Sequence, residues 1–153
     1  MIDVRPAAGE DAEALAALRW EFRAGRRPPT EDREAFLSRC AAWMRRELSA
    51  PGPWRAWVAV GDRDICGQVW LQLFDKLPNP VDEEERLAYL SNLYVEPSAR
   101  GGVGVRLLES ALAFAAASGV DRVVLWPSPR SVPLYERHGF TRTGEVMELK
   151  LRT

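Results

Sequence analysis

Apolar residues change their spacing several times along this chain, and each change marks an element. Ile2 to Arg5 alternates as a short strand. From Asp11 the period lengthens, and Leu15, Leu18 and Phe22 recur on one helical face with Trp20 nearby. Gly25-Arg26-Arg27-Pro28-Pro29 breaks that pattern. Thr30, with Arg33 and Glu34, opens a second helix through Phe36, Leu37, Cys40, Met44 and Leu48. Ala50-Pro51-Gly52-Pro53 ends the helical part. Trp54–Val60 and Ile65–Phe74 then form a predicted hairpin, in which Ile65, Gly67, Val69, Leu71 and Leu73 share one face at period two. A polar insert, Pro78–Arg86, contains the acids Asp82, Glu83, Glu84 and Glu85 and leads into a strand over Leu87–Val95. After Pro97 and a glycine-rich loop, a helix over Gly104–Ala117 presents Val105, Leu108, Leu112 and Ala115. Gly119 stops it. The wholly apolar run Val123–Trp126 predicts a buried strand. A short helix at Val132–Arg137 leads through Gly139-Phe140 into a last strand pair ending near Leu151.

A helix between the strands Leu87–Val95 and Val123–Trp126 is a crossover, so those two strands run parallel, and the rest of the sheet is antiparallel. The fold class is mixed α+β, a single domain over residues 1–153. Such a length buries one core without a disulfide or metal staple. With 21 basic and 22 acidic residues the net charge is −1. That argues against bulk attraction to nucleic acid or an anionic membrane. All basic residues but Lys76 and Lys150 are arginine, which fits codon composition better than function. No apolar run approaches a membrane span and the first residues carry no signal-peptide core, so a cytoplasmic location is expected. Cys40, Cys66 and the only histidine, His138, are isolated, which argues against a metal site or a serine–histidine triad.

The chemistry concentrates in Leu93-Tyr94-Val95-Glu96-Pro97-Ser98-Ala99-Arg100-Gly101-Gly102-Val103-Gly104. This segment joins a strand to a helix N-terminus, whose first N–H groups lack intrahelical partners and suit an anion. Gly101, Gly102 and Gly104 let phosphate approach the backbone, and Arg100 adds a charged fork. Neither a triphosphate P-loop nor a complete dinucleotide fingerprint is present. Val95-x-Pro97, Arg100-Gly101 and Gly102-x-Gly104 before an apolar helix resemble motif A of the GNAT superfamily of N-acetyltransferases. Ser131-Val132-Pro133-Leu134-Tyr135-Glu136-Arg137-His138-Gly139-Phe140 resembles its motif B, and the remaining element order agrees over nearly the whole chain. The loop is one residue shorter than the family pattern, and Ser128 stands where relatives often carry asparagine.

The resemblance implies a GNAT-like sheet with a splayed parallel strand pair and helices on both faces. It implies acetyl-CoA as cosubstrate, its pyrophosphate on Arg100, Gly101, Gly102, Val103, Gly104 and Val105. Its pantetheine arm would lie along Leu93, Tyr94 and Val95, with Ser128 opposite. Tyr135 is the implied general acid. Glu96 and Glu148 are the candidate bases, and Trp70 and Gln72 are candidate liners of the acceptor cleft. The acceptor is expected to be a small-molecule amine bound between Leu18–Trp54 and Pro78–Arg86, without nucleic acid, membrane or metal. A homodimer is compatible with this reading. The basic cluster Arg23, Arg26 and Arg27 is either a phosphate patch or, the favoured reading, a solvated turn. The acids Asp82–Glu85 are likewise a cation lure or a solvated loop, the loop being favoured. A non-catalytic acyl-CoA binding or sensing module and a nucleotide-binding interaction domain are the alternative functions.

Overall fold

The computed structural model describes residues 1–152. The helices of the first half run over Ala12–Ala24 (α1) and Arg33–Ser49 (α2), after a first strand at Asp3–Pro6 (β1). The strands Trp54–Val60 (β2), Ile65–Asp75 (β3) and Arg86–Val95 (β4) follow. The helix Val103–Ala117 (α3), the strand Arg122–Val124 (β5) and the short helix Val132–Arg137 (α4) complete the order. The five strands lie side by side in sequence order. Three neighbouring pairs are antiparallel and β4 with β5 is parallel, as the crossover requires.

Helices cover both faces of this sheet, so its central strands are buried on both sides. Trp57, Ala59, Val69 and Leu71 pack against Leu107, Leu108 and Ala111 of α3. The alternate residues Ala56, Val58 and Trp70 pack against Leu15, Ala16, Ala41 and Met44 of α1 and α2. Period two therefore sends successive residues into two different cores. The predicted face of β3 needs one correction. Gly67, Val69 and Leu71 share a face, but Ile65 packs with the α1–α2 core, because a bulge at Ala59/Val60 inserts an extra residue between them. Gly67 sits where an added Cβ would lie 3.1 Å from Leu107 Cδ1, so this glycine sets how closely α3 approaches.

Three predicted elements shift. Helix α3 starts at Val103, and its buried face is Val103, Leu107, Leu108, Ala111 and Ala115, with Val105 and Leu112 on the flank. The last strand is Arg122–Val124, and it is an edge strand with half-buried residues; Leu125 is half-buried and Trp126 is exposed. No closing strand pair forms: residues 140–152 contain no regular element. Their strand-like alternation finds no partner within the described chain, and Met147, Leu149 and Leu151 are exposed.

The first helix is fixed at its start by one ion pair. Arg5 donates from Nη1 and Nη2 to the two oxygens of Asp11 at 2.9 Å each, and the Ala8 N–H donates to the same carboxylate at 2.8 Å. Asp11 is buried while Arg5 is about half exposed. The Arg5 hydrogen bonds, helped by Ala8 and opposed by burial, hold the Asp11 carboxyl below its ordinary value. A depressed carboxylate stabilises the fold above its unfolded pKa and loses that contribution as pH falls through the folded one. Asp11→Asn is expected to cost about 1.5 kcal/mol at pH 7, the low end for hydrogen bonds to charge because Arg5 is partly screened. In urea melts the gap between variant and parent closes as pH falls below about 4.

Candidate active site

Strands β4 and β5 stay paired for only three residues, Leu87 with Arg122, Ala88 with Val123 and Tyr89 with Val124. Beyond Tyr89 they part. β4 continues to Val95 along β3 alone, and the chain after Val124 leaves the sheet. A cavity of about 1070 Å³ occupies the gap and continues toward α1 and α2. Leu90, Ser91, Asn92 and Leu93 form one wall; Leu125, Trp126, Ser128, Ser131 and Tyr135 form the other.

A bulge shapes the β4 wall. Gln68 pairs with Tyr94 and Trp70 with Ser91, so two steps along β3 span three along β4. Asn92 takes up the extra residue with φ +55°, the only non-glycine residue with positive φ among those described. Its Oδ1 accepts from Arg19 Nη1 at 3.1 Å, tying α1 to the bulge. The bulge also reverses the alternation. Ala88 and Leu90 face α3 before it, whereas Leu93 and Val95 do so after it. Tyr94 is thereby turned toward α1, where it stacks on Phe22 at 5.0 Å.

The glycine loop lies just past the end of β4. Gly101 and Gly102 have φ of +132° and +90°, and a Cβ at either would meet nothing within 4 Å. Their need for glycine is conformational, and the loop surface is open. Gly102 caps α3, no side chain bonds to that end, and the first backbone bond runs from the Arg106 N–H to the Gly102 carbonyl at 3.2 Å. The N–H groups of Val103, Gly104 and Val105 therefore have no intrahelical partners. Three such donors beside an uncrowded glycine pair fit an anionic group such as a pyrophosphate. Arg100 lies close by, but its Nε donates to the Val95 carbonyl at 3.0 Å, so it braces the loop as well as charging it.

The family model described as acetyltransferase (GNAT) family matches residues 12–140. The chain belongs to that family. A predicted acetyltransferase from Clostridium acetobutylicum, crystallised with acetyl-CoA, is 23% identical with a TM-score of 0.77, over 99% of this chain and 97% of that one. A GCN5-related N-acetyltransferase from Ralstonia eutropha is 26% identical with a TM-score of 0.76, over 98% and 99%. An aminoglycoside N-acetyltransferase in complex with CoA is 20% identical with a TM-score of 0.72, over 100% and 96%. No match is found among curated protein sequences.

In this GNAT chain the residues expected from sequence are unevenly gathered. Leu93, Ser128 and Tyr135 line the cavity together with Trp70. Tyr135 is buried, edge-on to Phe140 at 5.5 Å, and burial pushes its phenol above the ordinary value. Ser128 Oγ lies 3.0 Å from Ser131 Oγ. Glu96 and Gln72 are not in the lining, and Glu148 is exposed in the tail. The acids of the insert are absent from the lining too. Glu84 pairs with Arg122 at 2.9 Å, and Glu85 accepts from the Asn79 N–H at 2.9 Å. Arg23 and Arg26 are exposed, as expected of a solvated turn, and they also line the cavity with Arg19, Arg39 and Arg46; Arg27 does not. Helical spacing was the signal for 19 and 23 on α1 and for 39 and 46 on α2, each pair sharing one helix face, whereas Arg26 lies in the turn past α1. No such signal marks the bulge at Asn92. Among the described residues no cluster of His, Cys, Asp and Glu could hold a metal ion, and no helix is long and apolar enough to cross a membrane.

Gly102→Val puts a β-branched residue at φ +90°. It is expected to cost about 1–2 kcal/mol in chemical denaturation, the range for left-handed backbone. Gly104→Ala, with 3.9 Å from its new Cβ to Val95 Cγ2, is expected to fold like the parent.

Proposed function

We propose that this chain transfers the acetyl group of acetyl-CoA to a primary amine of a small molecule. The parting of β4 from β5, next to an open glycine-capped helix start and with Tyr135 in the cavity wall, carries the reading. Arg100, Gly101, Gly102, Val103, Gly104 and Val105 would hold the pyrophosphate. Leu93, Tyr94, Val95 and Ser128 would line the pantetheine arm. Structural neighbours crystallised with acetyl-CoA and CoA support that assignment. The cosubstrate supplies an acetyl group on a thiol leaving group. The acceptor nitrogen forms the new N–C bond as the C–S bond breaks, Tyr135 protonates the sulfur, and the proton shed by nitrogen replaces the one Tyr135 gives. The phenol is protonated at neutral pH and so has a proton to give as the thiolate leaves. Glu96 lies outside the lining, so it would act on the acceptor ammonium through water. A cytoplasmic location fits the two free thiols, Cys40 and Cys66.

Tyr135→Phe is expected to lower kcat about 10²-fold or more, the usual scale of general acid catalysis. Titration calorimetry should show acetyl-CoA and CoA binding in parent and variant alike, and no binding of a nucleotide lacking pantetheine. The parent's kcat should fall as pH rises through the raised phenol pKa, and the variant should lack that limb. Unchanged turnover would remove Tyr135 from the mechanism. Acetyl-CoA binding without thiol release for any amine would leave a sensing module.

The chain is also read as a homodimer. β5 ends the sheet with an unpaired outer edge, and Met147, Leu149 and Leu151 alternate with Glu148 and Lys150 on an exposed tail. A tail from a second copy would complete the edge and bury the apolar row. Light scattering should give a dimer for the full chain and a monomer after deletion beyond Gly144. A monomeric full chain would overturn this.

A further inference from the structure

The lining of the cavity has a charge pattern that net composition conceals. Five arginines, Arg19, Arg23, Arg26, Arg39 and Arg46, contribute to it, and among the described residues no aspartate or glutamate does. Only Arg39 is neutralised, by Glu31; the other four make no ion pair among the described residues. Three of them surround one ring: the guanidinium carbons of Arg19, Arg23 and Arg26 lie 6.0, 5.5 and 4.8 Å from the centre of Phe22. That ring, stacked on Tyr94, gathers the cations without cancelling their charge. The rest of this end is aromatic. Trp43 and Trp70 lie 5.7 Å apart, and Tyr89 meets Trp126 edge-on at 5.1 Å across the mouth of the splayed strands.

We propose that the acceptor is an anionic amine with a flat apolar body: a primary amine that also carries a carboxylate or phosphate group. The inference rests on the acetyltransferase reading and adds the acceptor's class. Guanidinium groups free of carboxylates pair with such an anion through two parallel hydrogen bonds, and the tryptophans and Tyr89 cover the flat part. A polyamine or a polyamino sugar would bring several positive charges to the same arginines with no acid to receive them. The field of the arginines also favours the neutral form of an entering amine, which is the nucleophile. This relieves the need for a carboxylate base in the lining.

Three matched amines test this: tyramine, tyrosine and O-phosphotyramine share a body and differ in the anion. Each is assayed for CoA thiol release at saturating acetyl-CoA, and for binding by quenching of cavity tryptophan fluorescence. Spermidine and kanamycin serve as polycations. Tyrosine or O-phosphotyramine should show kcat/KM at least tenfold above tyramine, and whichever leads identifies carboxylate or phosphate as the anion. The polycations should be slowest. The double variant Arg23→Gln/Arg46→Gln should shrink the advantage of the anionic amine over tyramine at least threefold, with the acetyl-CoA dissociation constant unmoved. Equal or faster turnover of tyramine or the polycations would overturn the inference. So would a variant that loses acetyl-CoA affinity and keeps the anionic preference, since the arginines would then serve the cosubstrate's phosphates. Tight acetyl-CoA binding with no binding or turnover of either anionic amine overturns this inference alone. Absence of acetyl-CoA binding overturns the transferase reading beneath it.

Discussion

Everything distinctive in this molecule follows from the failure of two parallel strands to stay together. A parallel ladder is stable when both strands continue and both faces are covered. Here β5 stops at Val124, while β4 runs another six residues to Val95. The extra residue at Asn92 adds local twist to β4 on the side where its neighbour leaves. A backbone that should be buried in a ladder is thereby presented to a cavity. Arg19, bonded to Asn92 from α1, closes the cavity on its far side, so the element that shapes the gap is also tied to its roof.

The two-sided burial of the sheet decides what that roof contains. α1 and α2 give their apolar faces to Ala56, Val58 and Trp70. Their polar faces therefore cannot turn toward the sheet, and Arg23 at the end of α1, Arg26 in the turn after it, and Arg39 and Arg46 on α2 come together beside β4. On the other face α3 packs so closely that Gly67 tolerates no Cβ without movement. That approach sets the start of α3, with its unpartnered N–H groups, at the end of the same strand. Packing against one sheet from opposite sides thus sets a helix start with free N–H groups at the end of β4 and an arginine- and aromatic-lined cavity along its middle.

Much of this was legible in residue order. Period two in β3, the glycine break before α2, the crossover and the motif around Tyr135 led to the element order and to the parallel pair. What escaped depends on contacts between distant residues. The bulge at Ala59/Val60 moved Ile65 to the other core, and nothing in the local pattern Asp64-Ile65-Cys66-Gly67 announces it. The tail from Gly144 alternates as a strand should, yet alternation only states a preference for a half-buried surface, and the described chain offers none. The acids at 82–85 illustrate the same limit. Their charge was plain, but only the fold shows Glu84 spent on Arg122 at the start of β5, away from the cavity.

Charge segregation is the part of the site that composition hides most completely. A net charge of −1 suggests a featureless electrostatic surface. Several acids, however, are committed elsewhere: Asp11 to Arg5, Asp75 to Arg86, Glu84 and Glu145 to Arg122. Asp121 accepts the N–H groups of Glu85 and Arg86, which draws its carboxyl below the ordinary value. Among the described residues no acid lines the cavity, so its arginines meet no carboxylate there except Glu31 at Arg39, and all of them but Arg19 are exposed at its rim. A chain of balanced net charge can therefore carry a cavity lining of one sign, which its composition does not show.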